Sequence, residues 1–259
     1  LMLSFVCPHP PYICPPEWFD YYAERDLPLP PQWRQGDWPA HPVIDHFRRF
    51  FDFHPQFEEP QIRRLLAAYY GACSFLDEQI GRVLTQLEAL GLTQSTRVIY
   101  SSDHGEHLGG RGIFGKFSLY DESAAVPMIA AGPDVPQGAV CRTPTSLVDL
   151  YPSIIESVGA ESHNDDAGLP GRSLWTIASN PDAQRTVLSE YHAVGSQHAS
   201  YMIRDERYKY NHYVGAPAQL FDMVSDPEEL NDLAGSADHA EVLVSLELRL
   251  RQILDPERV

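Results

Sequence analysis

The sequence predicts an α/β fold that gives way, toward the C-terminus, to a smaller antiparallel sheet closed by a helix. Three observations predict it. Apolar residues recur at three- and four-residue spacing from about residue 60 to residue 90, the period of an amphipathic helix. The apolar run Val98-Ile99-Tyr100 follows at once, reads as a buried strand, and ends in Ser101-Ser102-Asp103-His104-Gly105-Glu106-His107. Beyond residue 183 the pattern changes to short strand-like runs separated by polar turns.

Composition narrows the functional classes. The 259 residues are 43% hydrophobic and 21% charged, which is globular. Nineteen Lys and Arg stand against 36 Asp and Glu, a net charge of −17. That balance excludes nucleic acid as the expected partner, because phosphate backbones are held by basic patches. An anionic substrate would need a locally positive site, which a bound metal supplies. Cys7, Cys14, Cys73 and Cys141 are scattered without zinc-ligand spacing and read as reduced, structural thiols. No run approaches the roughly 18 apolar residues of a membrane span.

Taken in order, Leu1-Met2-Leu3-Ser4-Phe5-Val6 reads as a strand with nothing before it, so the chain is expected to open inside a core and to be part of a longer protein. In Cys7-Pro8-His9-Pro10-Pro11-Tyr12 the prolines are expected to hold His9 in extended backbone. His9 is there either an anion ligand or a turn histidine. Residues 15–60 read as a long irregular segment whose Trp18, Trp33 and Trp38 pack it onto the body. The helix from Pro60 to Leu90 ends at Gly91. Its Asp77 and Glu78 fit a solvated face better than an acid/base pair.

The stretch around Asp103 carries the chemistry. Carboxylates and imidazoles at the C-terminal end of a strand lie where α/β sheets place their sites, and Asp103 and His104 are read as metal ligands. Glu106 and His107 read as supporting groups. Lys116, between glycine-rich and aromatic sequence, is either a surface lysine or a positive donor near the metal. Val126 to Pro133 reads as a strand with its turn, and Thr145 to Val158 as a helix ended by Gly159. The polar connection 160–182 marks the expected boundary between residues 1–182 and 183–259. Thr186 to Tyr191, Ser200 to Arg204, Tyr208 to Tyr213 and Gln219 to Met223 form the expected antiparallel sheet. Asp238 to Leu254 is the expected terminal helix.

Ser102-Asp103-His104-Gly105-Glu106, Gly115-Lys116, Val126-Pro127-Met128-Ile129 and Asp149-Leu150-Tyr151-Pro152 together resemble the sulfatase branch of the alkaline phosphatase superfamily. The resemblance extends to Pro8-His9-Pro10-Pro11-Tyr12, Ile80-Gly81-Arg82-Val83-Leu84, Gly171-Arg172-Ser173-Leu174 and Leu220-Phe221-Asp222-Met223 with Asp226-Pro227-Glu228-Glu229-Leu230. Leu188-Ser189-Glu190-Tyr191-His192, Met202-Ile203-Arg204 and Tyr208-Lys209-Tyr210 look most like choline-sulfatase-type enzymes. Asp-His in place of Asp-Asn is similar to phosphonate monoester hydrolases.

The resemblance implies an alkaline-phosphatase-like mixed sheet flanked by helices. It implies one divalent metal ion (Ca²⁺, Mn²⁺ or Mg²⁺) with Asp103 and His104 among its ligands, and contacts from Lys116 and His9 to sulfate or phosphate oxygens. The family's Cys/Ser-x-Pro-x-Arg nucleophile motif is not in these residues; Cys14-Pro15-Pro16-Glu17-Trp18 has Trp where Arg is needed. The chain therefore resembles the second half of a sulfatase, with the formylglycine expected in the other half. The implied activity is hydrolysis of small sulfate esters. Phosphonate monoester or phosphodiester hydrolysis and an inactive binding module are the alternatives. The expected setting is a soluble, bacterial-type protein of cytoplasm or periplasm, with a homo-oligomer compatible.

Overall fold

The computed structural model describes residues 1–53, 57–182 and 184–258. Residues 1–6 form no strand; all six are exposed, Leu1 and Val6 almost wholly. A strand needs a hydrogen-bonded neighbour, and among the described residues none pairs with this run. The chain then turns, with the His9 amide donating to the Val6 carbonyl at 2.9 Å. His9 therefore sits in a turn, not in extended backbone.

The stretch expected to be irregular contains two helices, α1 (Pro16–Ala23) and α2 (Pro42–Phe50). Each has proline in its first turn, where the missing N–H has no intrahelical acceptor to lose. Prolines that read as loop punctuation are helix starts. On α2, Val43, Ile44, Phe47 and Arg48 form the buried face. The long helix α3 (Glu59–Ala89) follows the predicted span to within a residue. Its start is a reciprocal cap, in which the Glu58 amide donates to Gln61 Oε1 at 2.8 Å and the Glu58 side chain accepts from the backbone of the first turn. Ile62, Leu66, Ala67, Ala72 and Leu76 are buried, and α1 lies along the same stretch. Glu78 pairs with Arg82 at 3.0 Å on the exposed face.

β1 (Val98–Ser101) pairs antiparallel with β2 (Met128–Ala131), Val98 opposite Ala131 and Ser101 opposite Met128. β1 is half-buried, not buried. Between the strands lie the site loop and the single-turn helix α4 (Asp121–Ala124). After β2 come α5 (Leu150–Ser157) and α6 (Leu174–Ser179). The fully buried Asp149 before α5 accepts from the Arg172 amide at 2.8 Å and pairs with Arg185 at 2.7 Å.

Four strands then form an antiparallel meander: β3 (Val187–Tyr191), β4 (Ser200–Arg204), β5 (Tyr208–Tyr213) and β6 (Gln219–Asp222). Side chains alternate between its faces. Tyr201, Ile203, Tyr210 and Leu220 pack against Leu246 and Leu250 of α7 (Ala240–Ile253). On the other face Met202 and Tyr213 meet Val43, Phe47 and Leu119, and Phe221 meets Ile44, Ile113 and Tyr120. The sheet thus lies between the terminal helix and the part of the chain that carries the site loop. The four cysteines are free thiols.

A buried ionic cluster fastens these parts together. Lys209 on β5 is fully buried, and its Nζ lies 2.7 Å from Asp121 Oδ1 and 2.8 Å from Glu229 Oε1. The Asp121 amide donates to Glu229 Oε2 at 2.6 Å, and Arg204 reaches Asp121 Oδ2 at 2.7 Å. Burial opposes charge on Asp121, but Lys209 and Arg204 outweigh it and lower its pKa. Burial raises the pKa of Glu229 against the pull of Lys209.

Two outcomes follow from this packing. Lys209→Met keeps the volume and strands the buried Glu229 carboxylate, while half-buried Asp121 keeps Arg204, so urea unfolding should show a loss of about 3 kcal/mol; unchanged stability would contradict the cluster's role. Asp222, held mainly by Arg207 and then by the Val224 and Ser225 amides, has its pKa lowered from 3.8 to about 2. Its contribution to stability is complete above 3.8 and is lost as pH falls toward about 2. Acid titration of Asp222→Asn beside the parent chain should show the parent's advantage disappearing in that window.

Candidate active site

The strand β1 delivers the chain to Ser102, whose hydroxyl donates to the His104 carbonyl at 2.9 Å. This tight turn brings the two candidate metal ligands together. The His104 amide donates to Asp103 Oδ1 at 3.0 Å, and His104 Nε2 lies 3.4 Å from Asp103 Oδ2. The Asp103 carboxylate is 82% exposed and the His104 ring about one-third exposed. His104 Nδ1 meets the Gly105 carbonyl at 2.9 Å and can only donate to it, so in the neutral ring Nε2 is the nitrogen with the lone pair.

Gly105 is where the loop rests on α4. Its amide donates to the Ser123 carbonyl at 2.8 Å, and a Cβ there would lie 2.2 Å from the Glu122 carbonyl oxygen. No side chain fits this approach. The loop then doubles back. The His107 amide donates to the Gly115 carbonyl at 3.0 Å, and Glu106 Oε1 accepts from the Gly115 amide. Gly115 itself has φ of +82°, with Phe117 pressed against the position of a Cβ. This fold-back carries Lys116 to His9, and Lys116 Nζ lies 3.0 Å from His9 Nε2 across 107 residues of sequence. His9 Nδ1 donates to the Pro10 carbonyl at 2.7 Å, which leaves Nε2 to accept from the ammonium.

The supporting groups lie beneath. Glu106 and His107 do not join Asp103 and His104; they hold the loop. His107 is buried with Nε2 2.7 Å from Ser118 Oγ. Burial first, and then the charges of Arg111, Lys209 and Arg48, push its pKa down to about 3, so it is neutral at pH 7. Arg111, fully buried at φ of +55°, pairs with Glu122, donates to the Glu228 carbonyl, and lies over the Tyr120 ring. Arg48 donates from Nε to the Arg111 carbonyl at 2.8 Å. Burial raises the pKa of Tyr12, and contact with Glu106 raises it further, keeping the phenol protonated.

His9 and Lys116 are thus brought together, and Asp103 and His104 are brought together. The loop joins the two pairs through Gly105, Glu106 and the His107–Gly115 contact. Sequence reading gave no role to Arg111, Glu122, Asp121 or Lys209. Lys209 left one signal, an inward-facing charge in an alternating strand between Tyr208 and Tyr210, which demands a buried partner.

Comparison with known proteins gives the family. Residues 1–160 match the family described as Sulfatase, and residues 105–255 match N-sulphoglucosamine sulphohydrolase, C-terminal. The chain is 30% identical to Arylsulfatase K of Xenopus laevis over 258 residues, covering 96% of this chain and 47% of that protein. It is 31% identical to Choline-sulfatase of Rhizobium meliloti (strain 1021) over 257 residues, covering 96% and 49%. The solved structure of phosphonate monoester hydrolase SpPMH from Silicibacter pomeroyi superposes with a TM-score of 0.84 at 29% identity, covering 98% of this chain and 56% of that one. The chain spans about half the length of the curated relatives it matches. Among the described residues no helix is long and apolar enough to cross a membrane. With the family matched across most of the sequence and relatives at 30% identity over nearly all of it, the chain belongs to the sulfatase family of the alkaline phosphatase superfamily.

Proposed function

We propose that this chain supplies part of the active site of a metal-dependent sulfuric ester hydrolase. Asp103 and His104 are two of its metal ligands, and Lys116 and His9 meet the anion. The observation that carries this reading is the 3.0 Å contact between Lys116 and His9 at the end of the loop that bears Asp103 and His104. In a chain of net charge −17 it gathers positive charge locally.

The donor chemistry fits half a metal shell. A carboxylate oxygen 3.4 Å from an imidazole nitrogen, the ring's other nitrogen held by a carbonyl, is a pair suited to a divalent ion. Among the described residues no group of three His, Cys, Asp or Glu could hold a metal, so this reading takes the remaining ligands from outside them. When bound, the ion supplies positive charge for the attacking oxygen and the transferring group. Oxygen donors suit Ca²⁺, Mg²⁺ or Mn²⁺, and the imidazole tilts the choice toward Mn²⁺. The nucleophile, a formylglycine in this reading, also lies outside residues 1–259.

The chain's own residues orient and protonate. The Lys116 ammonium presents donors to the equatorial oxygens of the transferring group. Lys116 or a protonated His9 gives the leaving oxygen its proton, and the hydrogen bond between them lets a proton pass from one to the other. The substrate class is small sulfated organic molecules. A second reading, phosphonate monoester or phosphodiester hydrolysis, is favoured by the likeness to SpPMH at a TM-score of 0.84. The same pair of Lys116 and His9 serves either tetrahedral anion.

Asp103→Ala in the intact enzyme should abolish turnover and weaken metal affinity by at least about 100-fold, the upper end of what outer-shell changes cost. Because Asp103 is mostly exposed, the circular dichroism spectrum should not change. Normal metal content and full activity would refute the assignment. Paired assays of an aryl sulfate and an aryl phosphodiester decide between the two readings. Faster sulfate turnover supports the first; faster phosphodiester turnover replaces it with the second.

A further inference from the structure

Lys116 and His9 do not hold themselves in place. His9 is exposed and Lys116 half-buried, and their 3.0 Å contact joins a flexible ammonium to a ring in water. One hydrogen bond near the surface does not offset the rotamer freedom that a lysine side chain gives up. The contact needs two backbones already held at the right separation.

The half-buried Glu106 side chain touches both segments. Its Oε1 accepts from the Gly115 amide, next to Lys116. Its carboxylate also accepts from the Tyr12 hydroxyl, three residues after His9. Tyr12 is seated in turn on Tyr69 of α3, edge to face with centroids 5.8 Å apart at 79°, in the apolar cluster that contains Leu108 and Phe114 of the site loop. On the far side of Lys116, Phe117 stacks on Phe51 at 4.0 Å. The contacts close a ring: Glu106 to Gly115, Lys116 to His9, and Tyr12 back to Glu106.

We propose that Glu106 is a positioning residue for the anion-facing pair, setting the separation of His9 and Lys116 by bonding to both segments at once. This rests on the reading of Lys116 and His9 as anion contacts. Glu106 acts through them. An ionised carboxylate only accepts hydrogen bonds and repels an anion. Its charge and its positioning therefore act on anion affinity with opposite signs, and that separates them.

The test uses the intact enzyme, inorganic sulfate as a ligand that needs no turnover, and phenyl sulfate and 4-nitrophenyl sulfate as esters. If charge alone mattered, Glu106→Ala would bind sulfate more tightly. The expected result is weaker binding by about 10-fold, the worth of one hydrogen bond to a charged group. Turnover of phenyl sulfate should fall about 100-fold, the cost of a misplacement of about 1 Å. The loss on 4-nitrophenyl sulfate, whose leaving oxygen needs little protonation, should be about tenfold smaller. A lower fraction of folded enzyme would reduce both esters equally. Glu106→Gln can accept from Gly115 and donate to the Tyr12 oxygen, so it should restore the parent's ratio between the two esters. Tyr12→Phe keeps the carboxylate and should shift that ratio in the same direction as Glu106→Ala, but add nothing to it in the double variant. Unchanged or tighter sulfate binding in Glu106→Ala, equal losses on both esters, or additive effects of Tyr12→Phe would overturn the inference. Weaker sulfate binding in Glu106→Ala and Tyr12→Phe, with neither ester turned over by the parent, would keep the positioning role and sink the sulfatase reading instead.

Discussion

The Lys209 ammonium, enclosed by Asp121 and Glu229, is the interaction on which the rest of the structure depends. Lys209 and Glu229 are removed from water and Asp121 partly so, which is expensive unless each charge is met at close range. Here Lys209 meets both carboxylates, Arg204 takes the other oxygen of Asp121, and the Asp121 amide caps Glu229. The cluster joins β5, the segment after β6, and the first residue of α4. Because α4 accepts the Gly105 amide at the Ser123 carbonyl and its Glu122 carbonyl leaves no room for a side chain there, the position of Asp103 and His104 is tied to charges far from them in sequence. The small C-terminal sheet is therefore a support for the site loop as well as an appendage to it.

A second set of charges works alongside. Arg48, Arg111 and Lys209 crowd around His107 and, with burial, keep its ring neutral. Each of these cations is met by a carboxylate, Arg48 by Asp45, Arg111 by Glu122 and Lys209 by Asp121 and Glu229, whereas among the described residues Lys116 is paired with no carboxylate, so the local positive charge is at Lys116. An anion approaching from solvent meets a repulsive long-range field and an attractive short-range one. Screening shortens the first far more than the second, since the Debye length is about 8 Å at physiological salt. Local geometry, not net charge, decides what binds.

Much of this was legible in the sequence. The repeat from Ile62 to Leu87 gave α3, and the alternation in Ser200 to Arg204 and Tyr208 to Tyr213 gave β4 and β5 with their bounds. The pairing of Asp103 with His104 was legible because adjacent residues need only a turn. The resemblance implies that His9 and Lys116 each meet the anion, but their direct contact is not in the sequence, because no local pattern encodes a meeting across 107 residues. Two things were misread for physical reasons. Proline at residues 16 and 42 looks the same in a loop and at a helix start until the buried face of the next turn is known. Leu1 to Val6 has the composition of a strand, but composition cannot supply the neighbour that makes a strand. The support cluster stayed hidden because Asp121, Lys209 and Glu229 have no fixed spacing.

The two-stranded sheet has a further consequence. Among the described residues β1 and β2 pair only with each other, so within residues 1–259 each has an outer edge with no strand beside it. Ile129 stands exposed on β2, and the apolar run at residues 1–6 is exposed as well. Open edges beside apolar surface invite other copies to add strands. The net charge of −17 opposes that by repulsion. The colloidal state of the chain in water is thus a contest between short-range stickiness and long-range charge, and ionic strength is the variable that moves it: dilute buffer keeps molecules apart, and concentrated salt lets the edges meet.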